Sequence, residues 1–297
     1  MKALIDADIL VYEIANCGQY LDPESGELIV REFDYVASLL DDKIREIEAL
    51  VWATEPSVLY LTGDRKLIKS INKKKKHQGE ALIEFKPNFR FETAKKKEYK
   101  GQRVQEKPFH YANIREYMLA NYECVIAEGM EADDMICVEL IRNGNALSVI
   151  CCSRDKDLRM VPGMHFGWEC GRQPQFGPQR VDFLGELRLK EHVSAKGVRS
   201  YTIKGEGIKF FYSQLITGDG TDNIPGLPGG GPVLAFKSLA DCGSEELLFE
   251  RVAGLYEAKY GEDWRVELIE QADLLWMIRE LNEDGSPVKY VPVDERG

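Results

Sequence analysis

The 297-residue sequence has no Cys-x-x-Cys pair and only four histidines, His77, His110, His165 and His192, scattered without zinc-ligand spacing. A zinc site is therefore not expected. The seven cysteines (17, 124, 137, 151, 152, 170 and 242) read as reduced thiols of the core. Cys151 and Cys152, neighbours on an expected strand, point to opposite faces. No stretch approaches the ~20 consecutive apolar residues of a membrane span. The opening Met1-Lys-Ala-Leu-Ile-Asp6 runs straight into strand-like sequence, so no signal peptide is expected and the location is read as cytoplasmic. Internal repeats are absent as well. What is present, 44% apolar residues, is ample for a buried core, and the length allows two domains or one domain with a large appendage.

Positive charge is also in short supply, with a formal net charge of −11, but it is unevenly distributed. Between Arg65 and Lys107 lie 15 of the 39 lysines and arginines, against five glutamates, so this segment carries +10 and the remainder −21. A solvated run is the plain reading of such a stretch. Its position inside the chain, interleaved with Phe85, Phe89, Phe91 and Tyr99, favours a nucleic-acid surface.

The acids gather in a pattern. Lys2-Ala-Leu-Ile-Asp6 reads as a buried strand ending in Asp6, with Asp8 just beyond, and Val58–Leu61 as a second strand followed by Thr62-Gly-Asp64. Cys124–Ala127 is a third, leading into Gly129-Met-Glu-Ala-Asp-Asp134, whose Glu131, Asp133 and Asp134 open a helix. Ala146–Cys152 is a fourth, with Asp155 and Asp157 just past its carboxyl end. Helices are expected over 9–15, 33–52, 109–122, 208–217, 233–239, 244–260 and 265–282, a hairpin or loop over 21–31, and short strands near 165–168 and 180–183. In open α/β sheets ligands bind at the carboxyl edge. Carboxylates packed there repel, each pair about 4 Å apart by roughly 4 kcal/mol at an effective dielectric of ~20. A cation must offset this, and a donor set of oxygens alone points to Mg²⁺ or Mn²⁺.

Two readings compete with a metal nuclease. Asp6-x-Asp8, the strand ending in Thr62 and a late Gly-Asp219-Gly resemble a haloacid-dehalogenase phosphatase, in which the first Asp attacks phosphorus. That family spaces its late acids four apart, whereas Asp219 and Asp222 are three apart, and it leaves Glu131, Asp133, Asp134 and the basic insert without a role. The other is a non-catalytic protein binding branched DNA, its acids solvated or capping helices.

Six stretches in order carry a resemblance: Leu4-Ile-Asp-Ala-Asp8; Thr62-Gly-Asp64; Asn88-Phe-Arg90 with Glu98-Tyr-Lys-Gly-Gln-Arg103 and Lys107-Pro108; Gly129–Asp134; Ser153-Arg-Asp-Lys-Asp157; and Gly218-Asp-Gly-Thr-Asp-Asn-Ile-Pro-Gly226. Together they span about residues 2–240, and they resemble the 5′-nuclease family of flap endonucleases and 5′–3′ exonucleases, in particular its stand-alone bacteriophage type. The resemblance implies an α/β fold, PIN-like, with a mostly parallel central sheet flanked by helices. An α/β nuclease domain (1–206) would carry a basic arch insertion at about 65–107, and a C-terminal helical region (207–297) a helix–three-turn–helix element. It implies two Mg²⁺ ions, with Mn²⁺ as a substitute, and K⁺ at the helix–three-turn–helix element. Asp6, Asp64, Glu131 and Asp133 would hold one metal, and Asp155, Asp157, Asp219 and Asp222 the other, with Asp134 near both. Lys100 and Arg103, with Asp155, would be catalytic. Arg90, Tyr99, Lys100, Arg103, Lys107, Gly229, Gly231 and Lys237 would contact DNA, Tyr99 by stacking on a terminal base.

The implied activity is hydrolysis of DNA at a free 5′ end, whether flap, nick or single strand, by a monomer in the cytoplasm (the host's, for a viral protein). A PIN-like nuclease of single-stranded RNA is the same-class alternative. Two departures stand out. The Asp64–Tyr99 interval is lengthened by Lys66–Lys86, and Gly229-Gly-Gly-Pro-Val233 replaces the family's Gly-x-Gly-x-Lys, which shifts the phosphate contact to Lys237 and backbone amides.

Overall fold

The computed structural model describes residues 1–102, 106–143 and 147–296. The chain divides into two compact units that interleave along the sequence. The first comprises Met1–Asn88, Val104–Arg154 and Met164–Gln179; the second comprises Phe89–Arg103, Asp155–Gly163 and Arg180–Gly297.

β1 (Lys2–Asp6) opens the first unit and passes directly into α1 (Ala7–Cys17). A hairpin of β2 (Gln19–Leu21) and β3 (Leu28–Val30) precedes α2 (Phe33–Leu50). β4 (Val58–Thr62) and α3 (Arg65–Gln78) follow. After a single turn belonging to the second unit, α4 (Arg90–Thr93), come α5 (Tyr111–Asn121), β5 (Glu123–Ala127), α6 (Ala132–Arg142) and β6 (Val149–Cys152). β7 (Gly163–Gly167) and β8 (Phe176–Val181) complete a six-stranded sheet of order β5-β4-β1-β6-β7-β8. The pairs β1–β4, β1–β6, β4–β5 and β6–β7 are all parallel. The expected mostly parallel sheet flanked by helices is present. β1 lies at its centre and is buried from Ala3 to Asp6, as a strand covered on both faces must be. α2 turns Val36, Leu40, Ile44 and Ile47 into the same core, three and four residues apart, as one face of a helix requires. From β1 the chain steps out to β4 and β5, then crosses back to β6 and on to β7. That reversal makes the carboxyl edge beside β1 and β6 the crevice of the sheet.

The basic stretch after Asp64 is more ordered than a solvated run. Arg65–Gln78 forms α3, with Asp64 as its N-cap (Leu67 N–H to Oδ1, 2.8 Å) and Gly79 closing it at φ 71°. Lys75, Lys76 and His77 occupy its last turn, where the helix dipole favours cations. The Asn72 side chain donates to the Ile83 carbonyl and accepts from the Ile83 amide, both at 2.8 Å, so the chain beyond the helix folds back on it. Only Leu67 and Ile68 of α3 are buried, too few apolar positions for periodicity to announce the helix.

In the second unit, β9 (Leu187–Val193) and β10 (Arg199–Gly205) form an antiparallel hairpin that the sequence reading did not anticipate. α7 (Gly207–Thr217) follows, buried over almost its whole length, and then α8 (Pro232–Leu239), α9 (Glu245–Tyr260) and α10 (Trp264–Leu275). The ring of Phe211 sits 5.0 Å from Trp276 and 5.2 Å from both Tyr212 and Tyr290. α10 stops at Leu275 rather than running to 282. Its end explains a second departure. Arg90, expected to contact DNA, is 2% exposed, and its guanidinium donates from Nε to the Leu274 carbonyl (3.0 Å) and from Nη2 to the Trp276 carbonyl (2.7 Å). The last carbonyls of a helix lack partners within it and carry the negative end of its dipole, so a buried arginine satisfies both needs.

Arg90→Ala should therefore lower unfolding stability by about 2–3 kcal/mol, the usual scale for removing a charged donor from buried acceptors. Urea denaturation measures it, and an unchanged midpoint would mean that water replaces the guanidinium without loss.

Candidate metal and nucleic-acid site

The acids of the first unit follow the carboxyl ends of β1, β4 and β5, and local structure fixes Asp6, Asp8, Asp64, Glu131 and Asp134. Asp6 closes β1 and caps α1, its Oδ1 accepting from the Ile9 amide at 3.3 Å, while the Ser153 hydroxyl donates to Oδ2 at 2.7 Å. It is 1% exposed. Glu131 and Asp134 form a reciprocal cap at the start of α6, with the Glu131 amide donating to Asp134 Oδ2 at 3.1 Å. Thr62, ending β4, accepts the Ala132 amide on its hydroxyl at 2.9 Å and gives its own amide to Asp8 Oδ2 at 3.0 Å. Burial raises the Asp8 carboxyl above its usual range, against the bonds from Thr62 and the charge of Arg115, and Glu131 adds repulsion. The buried Cys151 thiol is pushed well up, first by burial and then by neighbours that include Asp6 and Asp133. Asp6, Asp8, Glu131, Asp133 and Asp134 thus share one edge of this unit.

Asp64 is differently placed. Its Oδ2 accepts from Arg115 Nη1 at 2.6 Å and lies 3.3 Å from Lys107 Nζ. Burial works against its charge, but the Leu67 amide, Arg115 and Lys107 prevail and hold its carboxyl down at about 2. Arg115, 4% exposed on α5, had no signal in the sequence to separate it from a surface arginine. Lys107, expected at DNA, also covers the Tyr111 ring at 4.2 Å.

The second unit gathers Tyr99, Lys100, Asp155, Asp157, Asp219 and Asp222. The Asp157 amide donates to Asp155 Oδ1 at 2.9 Å. Lys156 Nζ stands 2.9 Å from Asp157 Oδ1 and 3.4 Å from Asp219 Oδ2. Burial and then repulsion from Asp155 push Asp157 up to about 7 despite Lys156. Asp155 is raised by burial too, while at Asp219 burial is overcome by Lys156 together with the Thr221 and Asp222 amides, and the carboxyl is lowered. Around Asp219 the turn is tight, for the Thr221 amide bonds Oδ1 at 2.7 Å and Gly218 sits at φ 70°. A Cβ on Gly218 would lie 2.4 Å from the Ile224 carbonyl oxygen. The segment around Lys100 is laced to the same turn, with the Lys100 amide on the Asp222 carbonyl (3.0 Å), Asn223 Nδ2 on the Glu98 carbonyl (2.9 Å) and Lys100 Nζ 3.7 Å from Asp222 Oδ2. Tyr99 is 3% exposed and donates its hydroxyl to Asp222 at 3.0 Å, so its ring is not an open stacking platform. The exposed ring here is Phe91, edge-on to Tyr99 at 5.7 Å. Arg103 lies outside the described residues.

Of the turn before α8, Gly229 and Gly231 face open space, and Gly229 needs its φ of 84°. Gly230 is the tight one, where a Cβ would fall 2.1 Å from the Ile216 carbonyl oxygen. Lys237 is exposed on α8.

No protein-family model matches the chain. The crystal structure of the T5 D15 protein co-crystallised with metal ions is similar to it, with a TM-score of 0.51 at 16% identity, covering 90% of this chain and 87% of that one. A second structure, the bacteriophage T5 D15 flap endonuclease in a pseudo-enzyme-product complex with DNA and metal ions, gives 0.48 at 15% identity over 92% and 98%. The fold is that of the T5 D15 protein. In sequence, a DNA polymerase I of Rhizobium leguminosarum is 30% identical over 153 residues, half of this chain and 13% of that polymerase.

On this fold the carboxylates suit a hard divalent ion by their chemistry. The donors are oxygens, and Asp8, Asp155 and Asp157 are held above their usual range by burial, in places reinforced by neighbouring carboxylates, a penalty that a cation relieves. Gln214, 3% exposed beside Asp157, keeps a buried carbonyl oxygen with no donor. Among the described residues no three His, Cys, Asp or Glu side chains already form a cage. Arg115, Lys107 and Lys156 lie against the acids instead. No helix among them is long and apolar enough to cross a membrane. The roles of Ser153, Arg115 and Gln214 escaped the sequence reading because each acts through an acid remote in sequence.

The depressed carboxyl of Asp64 has a consequence for acid stability. Its folded value near 2 lies below the ordinary ~3.9 of an unfolded chain, so its contribution is complete above about pH 4 and is lost as the pH falls through about 2. Asn caps helices as well as Asp does, so Asp64→Asn isolates the charge. In chelator, the stability gap between wild type and D64N should be constant from pH 7 to 5 and shrink below pH 4. A gap that persists undiminished at pH 2 would rule out the ion pair as its source.

Proposed function

We propose that this chain is a divalent-metal-dependent nuclease that hydrolyses DNA phosphodiester bonds at or near a free 5′ end, as a 5′–3′ exonuclease and flap endonuclease acting as a monomer. The observation that carries this reading is the division of the acids into two oxygen-only sets on a 5′-nuclease fold, Asp6, Glu131, Asp133 and Asp134 in one unit and Asp155, Asp157, Asp219 and Asp222 in the other. Each set would hold one Mg²⁺ or Mn²⁺, which when bound lowers the pKa of water and neutralises charge on phosphoryl oxygens. Ser153 and the α1 amide fix Asp6 for this task, and the α6 cap fixes Glu131 and Asp134. Lys100, tied by its own amide to Asp222, offers an ammonium to the scissile phosphate. The uncrowded backbone at Gly229 and Gly231 and the exposed Lys237 grip duplex phosphates, which positions the substrate without reading its sequence. The nuclease domain is assigned to 1–206 and the helical DNA-binding region to 207–297.

The direct test is incubation of 5′-labelled flapped, nicked and single-stranded DNA, and of labelled RNA, with and without Mg²⁺. Asp155→Asn should abolish metal-dependent cleavage while leaving DNA affinity equal or tighter, since an anion facing phosphate is removed. Near-normal cleavage by the variant would sink the assignment, and preferential cutting of the RNA would redirect it to a single-stranded RNA nuclease.

α3 is assigned to the single-stranded 5′ end. Lys73, Lys74 and Lys76 are exposed along it, and Lys75 pairs with Glu80 at 2.8 Å. Each phosphate neutralised on a single strand contributes about −0.7 to the log–log salt slope of binding. Replacing the four lysines with alanine should flatten that slope by up to about 3 on flapped DNA, and much less on a nicked duplex. Equal slopes for the two proteins on flapped DNA would leave α3 a merely solvated helix.

A further inference from the structure

Gln214 stands inside α7, 3% exposed, in a helix whose other buried positions are mostly apolar. A carboxamide has four hydrogen-bonding positions, and burying one unsatisfied is unfavourable. Its Nε2 donates to Asp157 Oδ1 at 2.9 Å. Its Oε1 is buried with no hydrogen-bond partner among the described residues. Lys156 Nζ donates to the same Asp157 oxygen, also at 2.9 Å. Both donors therefore fall on Oδ1 and leave Oδ2 of Asp157 without a donor among the described residues. Lys156 reaches in from a side chain half exposed to water, whereas Gln214 is fixed on a packed helix. Of the two donors, Gln214 is the one whose place is set by the packing of its helix.

We infer that Gln214 is a positioning residue for the second carboxylate set: its carboxamide pins Asp157 through Oδ1 and leaves Oδ2 for a divalent ion. Groups that orient a metal ligand through a hydrogen bond commonly alter metal affinity 10–100-fold when removed. A glutamine retained only for packing would have no such effect, because a methionine of similar length fills the space and removes the unsatisfied acceptor. The inference rests on the metal-binding reading above and deepens it.

The test is Mn²⁺ titration of the full chain by calorimetry, without nucleic acid, with the second-set event identified as the one that Asp219→Asn abolishes. Gln214→Met should weaken that event 10-fold or more and leave the other unchanged, while the metal-free melting temperature stays level or rises. In an Asp157→Asn background the same substitution should have little further effect, since the two residues act as a unit. Should Q214M not fold, Gln214→Leu removes the donor without adding charge and should weaken binding at least as much. Equal Mn²⁺ affinity for wild type and variant overturns the inference alone, as does a full additional loss in the D157N background. A wild-type chain that takes up no Mn²⁺ overturns the metal reading itself.

Discussion

Carboxylates packed close together need positive charge near them, and much of this protein is arranged around that need. In the first unit Arg115 lies between the requirements of Asp64, to which it donates, and Asp8, whose charge it supports. In the second, Lys156 spans Asp157 and Asp219. These cations are incomplete remedies, since burial still holds Asp8, Asp155 and Asp157 above the ordinary carboxylate range. A site left short of positive charge by its own side chains is suited to take that charge from a hard divalent ion.

The backbone contributes as much as the side chains. Asp6, Asp64, Glu131 and Asp134 each cap a helix that follows a strand of the parallel sheet, so the acids are fixed by the same amides that begin α1, α3 and α6. Capping gives each carboxylate a defined rotamer before any ion arrives, which reduces the ordering needed on binding. In the turn after α7 the same economy recurs, with Asp219 accepting the Thr221 amide while Gly218 permits the close approach of the Ile224 carbonyl.

Interleaving of the two units explains why motifs adjacent in sequence have unlike fates. Asn88 ends one stretch of the first unit and Phe89 begins the second, and Arg90 goes to the carbonyls of Leu274 and Trp276 rather than to a surface. Likewise Ser153 and Asp155 lie two residues apart, the serine serving Asp6 in one unit and the aspartate standing beside Lys156 and Asp222 in the other.

The parallel sheet, helices α1, α2, α5 and α6 and the acidic positions at strand ends were legible because they follow from local rules. β-branched runs mark buried strands, a 3.6-residue stripe marks α2, and an acid just before an apolar helical pattern marks a cap. α3 and the β9–β10 hairpin were not legible, since α3 buries only two side chains and the hairpin's alternation lies largely in solvent. Partnership across the chain was equally invisible. Nothing in the local sequence assigns Arg90 to the end of α10, Arg115 to Asp64, Tyr99 to Asp222 or Gln214 to Asp157. The sequence by itself determined which atoms could bind a cation and where along the chain they fall, because that is a property of residue type and spacing. Tertiary structure alone decided which charged and polar side chains are buried against them, because burial and pairing depend on segments brought together from 51 to 184 residues away.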